Sequence, residues 1–88
     1  MKGIITVVGR DRVGIIAEVC TYLSAKQVNI LDISQTIVQE YFNMLMIVQF
    51  GEAAGFEDIA RGLDEIGQRL GLEIKLQRED IFESMHRV

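Results

Sequence analysis

The sequence has no proline, one cysteine, one histidine, no long apolar run and no cluster of basic residues. Each shortage removes a class of function. Without proline, and with apolar residues at 49% against 25% charged, the composition is that of a packed globular unit and not of a disordered chain. A lone Cys20 closes no internal disulfide, so nothing requires an oxidising compartment, and no second thiol is present to hold a soft metal. His86, without a partnered nucleophile or further ligands, points to neither catalysis nor zinc. Residues 1–9 carry one lysine but no apolar core with a small-residue cleavage site, and no stretch is long enough to span a bilayer. The expected location is cytoplasmic, with no membrane partner. The nine Lys and Arg residues are scattered in a chain of net charge -4, with no stripe that could neutralise a run of phosphates. Nucleic acid is set aside, and no metal or other cofactor is implied.

What is present fits one domain, 1–88, with a core over 2–77 and an extension over 78–88. A chain of 88 residues leaves much of its surface in water, so folding is expected to draw on a partner subunit. The apolar period changes along it. Residues 4–8 read as a strand with two apolar faces, since Ile5 and Val7 would point opposite to Ile4, Thr6 and Val8. After Asp11 the period becomes four, with Ile15, Val19 and Leu23 in line and Ile16 and Cys20 beside them, the stripe of a helix running to about 26. Residues 29–39 alternate again, with Leu31, Ile33 and Ile37 on one side and Asp32, Ser34 and Thr36 on the other, as in a strand near an edge with one buried face. A short connection at 40–42, where Tyr41 and Phe42 would sit exposed, leads to a strand at 43–50 whose Met44 and Met46 read as core filling or an interface seam. Phe56 to Leu70 carry the clearest helical stripe, with Glu57 to Arg61 and Glu65 to Arg69 spaced for ion pairs and Gly71 placed to end the helix. Residues 72–77 alternate as a last strand. The tail from 80, with Ile81, Phe82 and Met85, reads as a short helical segment.

The order β-α-β-β-α-β defines an α+β, ferredoxin-like sandwich: a four-stranded antiparallel sheet with both helices on one face and strands one and three in the centre. Both central strands are apolar on both faces, yet the helices cover only one. The other face needs the C-terminal segment, a second copy of the chain, or both. A homodimer is the expected state.

The turn Gly9-Arg10-Asp11-Arg12-Val13-Gly14 opens the first helix, where free backbone N–H groups and the positive end of the dipole make an anion site. An amino acid would present its carboxylate there and its ammonium to Asp11, with Gly14 allowing close approach. The same residues also read as a plain turn in which Asp11 caps the helix and Arg10 and Arg12 are solvated.

This turn, in the form Asp11-Arg12-x-Gly14-Ile15, together with Asn29-Ile30 and a downstream Gln35, resembles the ACT domain, and the likeness runs over about residues 2–77. Within that family the chain is most similar to the small stand-alone proteins of bacteria and archaea. The resemblance implies a regulatory domain, not an enzyme. Such a domain dimerises by joining or stacking sheets, binds an amino acid or related molecule at the interface, and acts on a separate enzyme or regulator. Carried over by position, the ligand group is Gly9, Arg10, Asp11, Arg12, Val13 and Gly14 with Asn29, Ile30, Leu31 and Asp32. Serine-binding relatives have asparagine at the position of Asp11 and histidine where this chain has Gly9, which argues against serine.

Two other readings stand beside it. One is an interaction module without a ligand, using the open sheet face. The other is an acylphosphatase-like hydrolase of the same fold, which needs an arginine in the loop-to-helix turn; Ile15-Ile16-Ala17-Glu18 supplies none. An RNA-binding sheet would display aromatics on strands one and three, and strand one has none.

Overall fold

The computed structural model describes residues 1–51 and 55–80. Along them run β1 (Lys2–Arg10), α1 (Ile15–Ala25), β2 (Asn29–Val38), β3 (Tyr41–Gln49), α2 (Phe56–Leu70) and β4 (Leu72–Arg78). The strands form one antiparallel sheet in the order β2-β3-β1-β4, so β1 and β3 are central and both crossovers return over the same face. This is the expected ferredoxin-like order. The helical segment expected from Ile81, Phe82 and Met85, with His86, lies outside the described residues.

Register explains the core. Ile5 stands between Met46 and Leu76, and Val7 between Met44 and Ile74, all toward the helices. Onto them α1 lays Ile15, Val19 and Leu23, and α2 lays Ile59, Leu63 and Ile66. Each fully buried aliphatic side chain of this kind contributes about 1.5–3 kcal/mol. Met44 and Met46 are thus core filling, and Cys20 is a half-buried neighbour of the core. On the β4 side α2 lies close: a Cβ at Gly67 would stand 2.7 Å from the Leu72 carbonyl oxygen. The helix then ends at Gly71, in the left-handed conformation with its N–H on Gly67 O, and the chain passes directly into β4.

Three expectations change. Strand two has no buried face: in β2 only Ile30 is even half-buried. As the edge strand it lies beyond the helical layer, and a bulge between Ile30 and Asp32 takes Leu31 out of the alternation. The hairpin turn is tighter than expected, closing at Gln39, whose φ is 58°, and Glu40. Phe42 therefore falls within β3 and the core at 3% exposure, while Tyr41 stays exposed. Lastly, the ion pairs within α2 differ. Arg61 meets Asp58 at 3.5 Å, and Arg69 crosses to Glu18 on α1.

Candidate functional site

The turn after β1 is shorter than its sequence implies. Gly9 and Arg10 belong to the strand, where Gly9 lies between Phe42 and Leu72 and its missing side chain leaves room for Leu72. Arg10 sits over the Tyr41 ring at 6.0 Å and near the Glu40 carboxylate at 3.7 Å. The loop proper is residues 11–14. Asp11 donates its backbone N–H to Glu40 O at 2.8 Å, tying the loop to the β2–β3 turn. Arg12 reaches across to Leu70 O at 3.5 Å, and Val13 is 99% exposed.

The capping role weighed for Asp11 is not observed. Gly14 is the N-cap, with φ 93°, and no side chain bonds to the helix end. Asp11 lies too far upstream, because a capping side chain belongs to the residue just before the first helical one. The first intrahelical bond is Glu18 N–H to Gly14 O at 2.9 Å. That leaves the N–H groups of Ile15, Ile16 and Ala17 without protein acceptors among the described residues, at the positive end of the dipole. Gly14 is there for its backbone: a Cβ would meet nothing within 4 Å, but an L residue at that φ is strained.

These residues line one end of a groove between α1 and the β2 edge. Asp11, Arg12, Gly14, Ile15, Ile16 and Ala17 face Gln35, Ile37 and Phe42 across an open cleft of about 290 Å³. Asn29 and Ile30 are elsewhere. With Cys20, Ser24, Gln27 and Val28 they line a second cleft, of about 460 Å³, at the far end of α1. At about 3.3 Å per residue, Asn29 lies some 20 Å along β2 from Gln35. Leu31 and Asp32 stand exposed between the two ends. A single copy therefore does not bring the two halves of the expected ligand group together. The reason is chain direction: α1 runs back along the sheet, so it is the end of β2, not its start, that returns to the loop. That topology was the available signal for Gln35 and Ile37, which were absent from the expected site.

Electrostatics add a tether. Arg69 Nη1 and Nη2 donate to the two Glu18 carboxylate oxygens at 3.0 and 2.9 Å. Those hydrogen bonds hold the Glu18 carboxyl below its ordinary value, against the opposing effect of desolvation and with lesser help from the charges of Arg69 and Arg12. The same bonds raise Arg69. Tyr22, whose hydroxyl reaches Asp58 O at 3.4 Å, has its phenol raised by desolvation and by Glu65 and Asp58. Glu18 and Tyr22 flank the line between the two helices. Neither cleft along β2 is lined by a nucleophile paired with a base, and the backbone donors, the Gln35 amide and the apolar Ile37 and Phe42 suit holding a small anion-bearing molecule.

The class defined by this arrangement is a ferredoxin-like domain with clefts beside an open edge strand. The chain belongs to the ACT domain family, whose model matches residues 3–77. Members of that family are in general regulatory, ligand-binding domains. A UPF0237 protein of Bifidobacterium longum is 56% identical over 99% of this chain and 98% of its own length. Among solved structures, an ACT domain protein from Streptococcus pneumoniae is 42% identical, with a TM-score of 0.83 over 94% of each chain. The regulatory subunit of aspartate kinase from Thermus thermophilus, at 22% identity, shares the fold with a TM-score of 0.70 over 89% of this chain and 51% of its own.

Proposed function

We propose that the protein is a regulatory domain that pairs with a second copy along β2 and holds an amino acid in the groove between them, acting on a separate enzyme or regulator. The observation that carries this is the uncapped start of α1, whose free N–H groups sit in a cleft beside an unpaired strand edge. Two-fold pairing of β2 with its own copy is antiparallel. It would lay the start of one β2 beside the end of the other, so the cleft at Gly14 and Gln35 would meet the partner subunit's Asn29 and the partner subunit's Asp32. The α-carboxylate then takes the N–H groups of Ile15, Ile16 and Ala17, and the ammonium takes side-chain oxygens from across the interface. The edge itself fits pairing: Leu31, Ile33, Ile37 and Val38 are 41% to 56% exposed.

A thermal-shift series over the proteinogenic amino acids tests this. At about a hundred times its dissociation constant, a ligand bound only by the folded state adds about 2.7 kcal/mol. For a domain of this size that raises the melting temperature by roughly 10 °C or more. Gly14→Ala, which strains the helix start, should lose the shift. No shift with any amino acid on folded protein defeats the ligand, and would leave the exposed edge as a pure interaction surface.

A further inference from the structure

We infer that the amino acid held in the cleft at the start of α1 is one with an aliphatic side chain, of the valine or leucine kind; this rests on the ligand reading above and adds what selects among ligands. Backbone N–H groups receive any α-carboxylate alike, so discrimination falls to the side chains around them. At about 290 Å³ the cleft lies at the small end of ligand sites, which fits a single amino acid and not a larger metabolite.

Nearest the helix start its walls are apolar. β2 turns Gln35 and Ile37 toward α1, since their partners on β3, Met44 and Phe42, belong to the core. Ile37 stands opposite Phe42, beside the hairpin turn whose Glu40 O holds the Asp11 N–H. Gln35 lies two residues further off, about 7 Å along the strand. Phe42, at 3% exposure, forms the floor, while Ile16 on α1 and Ile37 on β2, at 37% and 51%, form the open walls. Two half-exposed aliphatic side chains beside a buried ring gain by covering one another's apolar surface, whereas a charge or hydroxyl placed between them loses its water.

The charged residues of the cleft point the same way. Arg12 is its one cation, and that guanidinium is engaged elsewhere: it bonds to Leu70 O at 3.5 Å and adds its charge to Glu18, and neither Leu70 nor Glu18 lines the cleft. No cation is left there for an acidic side chain. Asp11 is the one acid, suited to the ligand's ammonium and repelling a second carboxylate.

Titration calorimetry of the full chain with glycine, alanine, valine, leucine, asparagine, aspartate and lysine tests this. Affinity should climb from glycine through alanine and valine, about two- to fourfold for each methylene covered, so that leucine binds at least tenfold more tightly than glycine. Aspartate should bind more weakly than alanine. Binding by none of the seven defeats the amino-acid reading and this inference with it. Binding led by glycine, asparagine, aspartate or lysine overturns the aliphatic choice alone and leaves the amino-acid reading standing. Ile16→Ser, at a side chain outside the core, should lower the leucine-to-glycine ratio about fivefold. An equal loss for both ligands, with the ratio unchanged, would place the effect of Ile16 on the helix start and overturn the inference as well.

Discussion

The two edges of the sheet are built differently. At one, β4 is seven residues long, carries Glu73, Lys75 and Arg78, and is covered by α2, which approaches closely at Gly67. At the other, β2 is ten residues long, has Asp32 as its one charge, and exposes Leu31, Ile33, Ile37 and Val38. Short length, charge and a covering helix are the usual means of keeping a strand edge from pairing, and β4 has all three. β2 has a bulge at Leu31 and little else. An edge left this open is available to another strand, and the difference between the two edges fits the proposed pairing along β2.

The largest effect should come from charging the open edge. Ile33→Lys with Ile37→Lys should weaken self-association by on the order of a hundredfold, the scale of losing central contacts of an interface. Sedimentation over a concentration series reads this directly. The melting of the separated chain should move less, because both side chains are already exposed, Ile33 to 41% and Ile37 to 51%. A double variant as strongly associated as wild type breaks the comparison. The reverse exchange sharpens it, since Glu73→Val with Lys75→Val unguards β4 and should create new, weak association.

Next in size is the closeness of α2 to β4. In a solvated helix Gly→Ala stabilises by about 1 kcal/mol. At Gly67 the new methyl would stand 2.7 Å from Leu72 O, and overpacking of that kind costs about 1–3 kcal/mol. Gly67→Ala should therefore lower stability in urea by about 1 kcal/mol, leaving association along β2 unchanged. A rise in stability would mean that α2 shifts off β4 at little cost to make room for the methyl.

Much of this was legible beforehand, because it follows from side-chain period. Ile15, Val19 and Leu23 announce α1, and the doubly apolar runs around Ile5 and Met46 announce central strands. The edge was harder. A bulge at Leu31 is a backbone event with no side-chain signature, so the clean alternation of residues 31–37 suggested a buried face that the helices do not reach. Asp11 is a good capping residue by type, but β1 continues through Arg10 and leaves it too early to cap. The candidate cleft was half legible. Its loop is marked by Gly14 and the helix start, whereas its second half depends on which end of β2 returns to the loop, and that is set by chain direction.

The smallest effect concerns the link between the helix beside the open edge and the helix on the closed one. Glu18 of α1 accepts both bonds from Arg69 of α2, and Arg12 of the loop before α1 lies close enough to add its charge. Because the folded carboxyl lies below its ordinary value of 4.5, the folded state binds fewer protons than the unfolded one in the window between the two values. The link therefore stabilises fully above the ordinary glutamate range and is lost as pH falls through the lowered value. Both side chains are exposed, Arg69 to 56% and Glu18 to 40%, so the contribution is small and screened by salt. The difference in melting temperature between wild type and Glu18→Gln should be positive at about pH 7, shrink toward about pH 3, and shrink also at high salt. A difference that is flat from neutral to acid would show that α1 is held to α2 by Ile15, Val19, Leu23 and their core neighbours alone, and that the loop before α1 has no charged connection to the guarded side of the sheet.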